Sequence, residues 1–143
     1  MIRTPAERMT TIAPTENFTG QVFLDQFVVA EGPSRLNATA VTFSPGARTA
    51  WHKHGFRQIL IATVGQGFVQ VEGKPARPLY PGDVAVVPPD TVHWHGAARC
   101  SLFTHIALLE SEGAGTCWLC HVNDEEYLRA DPSRGNEIIP NRD

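Results

Sequence analysis

Two histidines one residue apart, His52 and His54, lie in the stretch Gly46-Ala-Arg-Thr-Ala-Trp-His52-Lys-His54-Gly-Phe-Arg-Gln58, which runs on through an apolar segment to Gly65. No other feature constrains the chain as tightly. Side chains of an extended backbone alternate faces, so imidazoles at i and i+2 project to the same side. Gln58 follows after a short turn that can bring its amide oxygen back beside them. Gly46 and Gly65 bracket the segment at positions where the chain turns. A second stretch, Gly82-Asp-Val-Ala-Val-Val-Pro88-Pro-Asp-Thr-Val-His93-Trp-His95, adds a further imidazole at His93. Three imidazole nitrogens and one amide oxygen form a donor set for a divalent transition metal, with positions left for another ligand. Because all four donors are neutral, the full charge of the ion is felt by whatever else it binds.

The remainder of the chain reads as β-structure. Residues 1 to 17 are polar, carry two prolines and read as a leader without a packing pattern. Thr19 to Val29, Asn37 to Phe43, Gln58 to Val64, Phe68 to Glu72, Val84 to Val87, Cys100 to Glu110 and Gly115 to Val122 read as strands, punctuated by Gly and Pro. About ten short strands at this spacing predict a sandwich or barrel. Asn123 and Asp124 cap a short helix over Glu125 to Ala130. Residues 18 to 130 form the barrel domain, and 131 to 143 a polar tail in which Ile138 and Ile139 are the docking candidates.

Composition excludes several classes. A chain of 143 residues supports one domain. A net charge of −3 without a basic run offers nothing to nucleic acid. No segment has the apolar length of a membrane span, and the N-terminus lacks the apolar core of a signal peptide, so cytoplasmic residence is expected. Cys117-Trp-Leu-Cys120-His121 matches the haem-attachment spacing, but without an export signal it reads as a strand with half-buried cysteines, and Cys100, Cys117 and Cys120 read as reduced, buried thiols. Val22, Phe23, Phe27 and Val28 form an apolar N-terminal segment suited to self-association, as a homodimer or homotetramer.

The two stretches read G-x5-H-x-H-x3-Q-x6-G and G-x5-P-x-D-x2-H-x3-A, and resemble the paired motifs of the cupin superfamily. Gln58 stands where many cupins have Glu, Asp90 where Gly is usual, and Ala97 where Asn is usual. The resemblance implies an all-β, single jelly-roll-like barrel with one metal ion per chain. It favours manganese, with iron, zinc, nickel and cobalt open, held by His52, His54, Gln58 and His93. The likeness continues through Phe18-Thr-Gly20, Pro45 to His52, His93 to Ala98 and Thr104-His105. It points to the small single-domain bacterial cupins that include metal-dependent hydroxynitrile lyases. His105, mid-strand on the face of Phe103, Ala107 and Leu109, then becomes the catalytic base of a lyase that makes or breaks cyanohydrins. His95 shares a face with His93 and either enters the cavity or supports the ligands. Phe18, Thr39, Val41, Phe103 and Leu109 are the other pocket candidates, while Arg48 and Arg57 either meet an anion or serve as solvated or salt-bridged residues. Two alternatives stay open: an iron or manganese dioxygenase, decarboxylase or isomerase, and a cupin that binds a small molecule without turnover.

Overall fold

Along Phe103–Glu110 large and small inward residues alternate with outward Thr104, Ile106 and Leu108, and this strand becomes the middle of a sheet. The computed structural model describes residues 1–111 and 115–131. Its strands are β1 (Thr10–Ile12), β2 (Phe18–Thr19), β3 (Val22–Val28), β4 (Leu36–Phe43), β5 (Arg48–Thr49), β6 (His52–Lys53), β7 (Gln58–Gly65), β8 (Gly67–Val71), β9 (Arg77–Leu79), β10 (Val84–Val87), β11 (His93–Ala97), β12 (Phe103–Glu110) and β13 (Cys117–Trp118). Helix α1 (Asp124–Ala130) follows. All pairings are antiparallel and fall into two sheets, the first in the order β1-β3-β4-β12-β7-β10. β11 is the hub of the second: β5 and β6 pair along one side of it and β8 along the other. β2, β13 and β9 extend this sheet.

Register carries the site residues inward. On β12, His105 lies opposite Val41 on one side and Ala62 on the other, and Leu109 lies opposite Asn37 and Gln58. His105 and Gln58 therefore face the same interior from adjacent strands. Phe43, Phe103 and Val22, each 0% exposed, close one end of that interior. A second apolar cluster, Phe68, Trp94, Val122 and Tyr127, seats α1 against the second sheet.

The expected departures from the motif have local explanations. Asp90 has φ +55°, a left-handed conformation that favours glycine and that a short Asp tolerates better than a branched residue. Its amide donates to the His54 carbonyl at 2.7 Å, tying the second motif to the first. Ala97 is 0% exposed, a site with room for a small side chain, and its backbone carbonyl accepts from Tyr127 Oη at 2.8 Å. Gly65, at φ +74°, sits against the Leu102 carbonyl, where no Cβ would fit.

Several expectations are corrected. The segment expected as a leader supplies β1, which pairs with β3 from Thr10 opposite Asp25 to Ile12 opposite Phe23. All three β1 side chains are exposed, so no apolar periodicity marks it in the sequence. Backbone pairing holds it, flanked by the Arg8–Asp25 ion pair at 3.0 Å and the buried Ala13. Val22 is not an association residue, since it faces Phe43 in the core, and only Phe23, Phe27 and Val28 of that group remain partly accessible. Cys100, Cys117 and Cys120 are exposed free thiols rather than buried ones. The strand expected over Gly115 to Val122 shrinks to β13, which spends only Cys117 and Trp118 on pairing with β6. Ile138 and Ile139 lie outside the described residues.

Helix α1 begins as expected, with a reciprocal cap: Asn123 Oδ1 accepts from the Glu126 amide, and Glu126 accepts from the Asn123 amide. Arg48 is salt-bridged to Asp124 at 2.8 Å but is itself buried. It donates from Nε and Nη2 to the Val122 carbonyl and lies 4.5 Å from the Tyr127 ring centroid. This cation is thereby committed to fastening α1 to the barrel. Arg57 is exposed.

Candidate metal centre

β6 and β11 place His52 directly opposite His93. Strand alternation along β11 then sends His93 and His95 to one side and Trp94 to the other, where its indole N–H donates to Gln70 Oε1 at 2.9 Å. The ring centroids of His52 lie 4.2 Å from His93, 5.0 Å from His54 and 5.3 Å from His95. Gln58, at the start of β7 in the facing sheet, brings Oε1 to 3.0 Å from His93 Nε2. His105 completes the cluster, with Nε2 3.0 Å from His95 Nδ1. All five imidazoles and the Gln58 side chain are buried.

Burial also sets their charge. Desolvation, reinforced by neighbouring His93, holds His52 well below the ordinary histidine value. Desolvation lowers His93 to about 4 and His105 to about 3. His95 is held well below its ordinary value by desolvation, then by His105 and His52. These rings are neutral at pH 7, as a metal ligand or a base must be.

The backbone fixes two tautomers. His52 Nδ1 lies 2.9 Å from the Ala50 carbonyl and His93 Nδ1 2.8 Å from the Thr91 carbonyl. A carbonyl only accepts, so each Nδ1 carries the proton and each Nε2 keeps its lone pair. The His93 lone pair therefore faces the oxygen of Gln58 at 3.0 Å, acceptor against acceptor. A cation satisfies both; otherwise the amide must turn its N–H toward the ring. His95 Nε2 and His105 Nδ1 are likewise buried with no hydrogen-bond partner among the described residues. A divalent ion fits this donor set.

Which imidazoles would hold the ion is a question the geometry narrows. His52, His93 and His95 bring their nitrogens within 4.8 Å of one another, the compact three-histidine group among the described residues. His54, expected as a ligand beside His52, turns Nδ1 to Thr116 Oγ1, 3.2 Å away, as His52 and His93 turn theirs to carbonyls, so Nε2 is the nitrogen it can offer an ion. His52, His93 and Gln58 thus belong to either arrangement, with His54 or His95 as the third imidazole. From sequence, His95 takes the lesser role because His52, His54, Gln58 and His93 already fill the ligand set.

A cavity of about 380 Å³ opens beside the cluster. Of the expected pocket residues, Phe18, Thr39, Val41, His95 and Leu109 line it. Phe103 does not: it is fully buried below His105, with Gly67 packed on its ring at the closed end of the barrel. Leu24, Gln26, Asn37, Thr49, Thr116 and Trp118 also line the cavity. Trp118 reaches it because β13 pairs beside His52, a long-range contact without a local signal. Among the described residues, no Asp, Glu, Lys or Arg lines it.

Comparisons with known proteins agree with this architecture. Residues 39–103 match the cupin domain family. A protein of Granulicella tundricola named (R)-mandelonitrile lyase is 44% identical over 117 residues, covering 81% of this chain and 89% of that protein. A cupin-like protein of Thermotoga maritima, known by crystal structure, is 44% identical and superposes with a TM-score of 0.82 over 85% of this chain and 93% of that one. A cupin-2 domain of Rhodospirillum rubrum shares the fold at 16% identity, with a TM-score of 0.70 over 94% of this chain and 89% of its own. Gathered on a cavity between two antiparallel sheets, the paired histidine motifs have the setting that the resemblance implied, and the chain belongs to the cupin family.

Proposed function

We propose that this cupin is a metal-dependent lyase acting on small, uncharged hydroxy and carbonyl compounds, and that its reaction is the cleavage or formation of cyanohydrins. The observation that carries the reading is the neutral His95–His105 pair, 3.0 Å apart, on a cavity with no Asp, Glu, Lys or Arg among its described lining residues. Apart from the ion, a carboxylate-bearing substrate would find no side-chain countercharge among the described lining residues, whereas a neutral hydroxynitrile needs none. The 44% identical relative named (R)-mandelonitrile lyase supports the same substrate class.

An ion held by His52, His93, Gln58 and either His54 or His95 would supply Lewis acidity, polarising a substrate oxygen and lowering the pKa of its hydroxyl. Manganese is the ion we favour, one per chain. The residues of the chain manage the proton. Two neutral imidazoles joined by one hydrogen bond carry two ring protons, of which one lies in the shared bond. One outer nitrogen of the pair is therefore a base while the other holds a proton. With His54 as the third imidazole ligand, His95 Nε2 holds the outer proton and His105 Nδ1 is the base. It takes the hydroxyl proton as the C–O bond becomes a carbonyl and the bond to the nitrile carbon breaks. Cyanide leaves with the electron pair and recovers the proton from the imidazolium, giving aldehyde and hydrogen cyanide. The reverse sequence adds cyanide to the aldehyde. The apolar walls at Phe18, Val41 and Leu109 exclude water from the reacting carbon.

Mandelonitrile cleavage, followed with and without oxygen, tests the reading. Equal aldehyde release in air and under argon is expected. Dependence on oxygen would favour the dioxygenase alternative, and absence of turnover in metal-loaded protein would leave a binding cupin.

A further inference from the structure

The cavity wall formed by Trp118 and Phe18 has no part in holding a metal or moving a proton. Trp118 sits opposite His52 in the β13–β6 pair, its ring 4.8 Å from the imidazole at 37°. Phe18, on β2, stands 5.5 Å from Trp118 at 56°. Ordinary packing accounts for Trp94, Phe43, Phe68 and Phe103, which are 0% exposed and lie inside the apolar clusters. Trp118 belongs to neither cluster of described residues, whereas Phe18 packs against the first, 6.5 Å from Phe43; both are half-buried, and both rings line the cavity. The walls contributed by Leu24, Thr39 and Val41 are aliphatic or hydroxylic. Aromatic rings attract another ring at centroid spacings of roughly 4.5–7 Å, tilted or offset, beyond what area burial gives. Because the Trp118 ring neighbours His52, a substrate ring seated against these two faces would lie beside the imidazole cluster.

We propose that Trp118 and Phe18 form an aryl subsite that makes the cavity select substrates with an aromatic ring on the carbinol carbon. The proposal deepens the lyase reading, on which its turnover arm rests; its binding arm does not need turnover.

The experiment compares mandelonitrile with its cyclohexyl counterpart, which matches it in size but has no π-face. Trp118→Leu is expected to lower the ratio of the two kcat/KM values about tenfold, equivalent to ~1.4 kcal/mol. Trp118→Phe should keep most of the preference. In parallel, the affinities of benzyl alcohol and cyclohexylmethanol for the metal-loaded proteins are measured by titration. Wild type should favour benzyl alcohol, and Trp118→Leu should lose that preference. Metal content and circular dichroism are recorded for each variant, because Trp118 touches His52. Should Trp118→Leu fail to fold, Trp118→Phe and Phe18→Leu carry the comparison. If neither cyanohydrin is cleaved, the lyase reading falls and the alcohol affinities alone decide the subsite. Equal affinities in wild type, or a variant that slows both substrates by one factor, would overturn the aryl subsite.

Discussion

His105 Nε2 and His95 Nδ1 form a hydrogen bond of 3.0 Å between two buried imidazoles, and the outer nitrogen of each ring has no partner among the described residues. The pair links β12 of one sheet to β11 of the other. This bond is the feature on which proton transfer in the proposed reaction depends.

His105→Ala should retain metal and fold yet lose about 10² to 10⁴ in cyanohydrin cleavage, the usual worth of general base assistance. Since burial holds the wild-type imidazole at about 3, it stays a base throughout the mildly acidic range. Turnover limited by His105 alone should fall only as the pH approaches that value. Steady-state rates of both proteins across pH check this; near wild-type turnover in His105→Ala would make it a core residue.

Acid should destabilise the metal-free protein early. His52, His93, His95 and His105 all have folded-state values below their unfolded one near 6.5. Below that pH the unfolded chain binds protons that the folded chain refuses, so stability is full above about 6.5 and drains as pH falls toward the folded values. Each such ring costs up to about 1.4 kcal/mol per pH unit in that window. Urea midpoints of metal-free protein at pH 7 and 5 measure it, and equal midpoints would show that the rings are not desolvated as described.

Metal analysis of four variants tests the cluster and separates the ligand arrangements. His52→Ala and His93→Ala should both lose most of the ion. Between His54→Ala and His95→Ala, the larger loss identifies the third imidazole. Full occupancy in all four would remove the metal from this cluster.

Gln58→Glu adds a negative charge beside His93 Nε2 and should hold metal at least as well, while lowering the Lewis acidity of the ion. The expected outcome is unchanged or higher metal content with slower cleavage. If neither metal content nor rate responds, Gln58 lies outside the ligand set.

Much of this was legible in the sequence because spacing acts locally. The His52-x-His54 pair, the face shared by His105 and Leu109, the strand after Gln58 and the Asn123 cap all follow from alternation or capping within a few residues. What stayed hidden depends on partners far along the chain. β1 is recruited by an open edge, Arg48 is buried by a helix some seventy-six positions later, and Trp118 enters the cavity through β13. The close approach of His95 to His52 and His93 likewise follows from the β6–β11 register rather than from spacing along either strand. Self-association through Phe23, Phe27 and Val28 remains our expectation, as a homodimer or homotetramer. A monomeric mass by light scattering at micromolar concentration would count against it.

The most direct measurement is a metal titration of cleavage activity. Protein stripped by chelation should release no benzaldehyde from mandelonitrile. Added Mn²⁺ should restore the rate linearly to a plateau at about one equivalent per chain, the same under argon as in air. A rate that survives complete metal removal, or that never appears in fully loaded protein, would contradict the account.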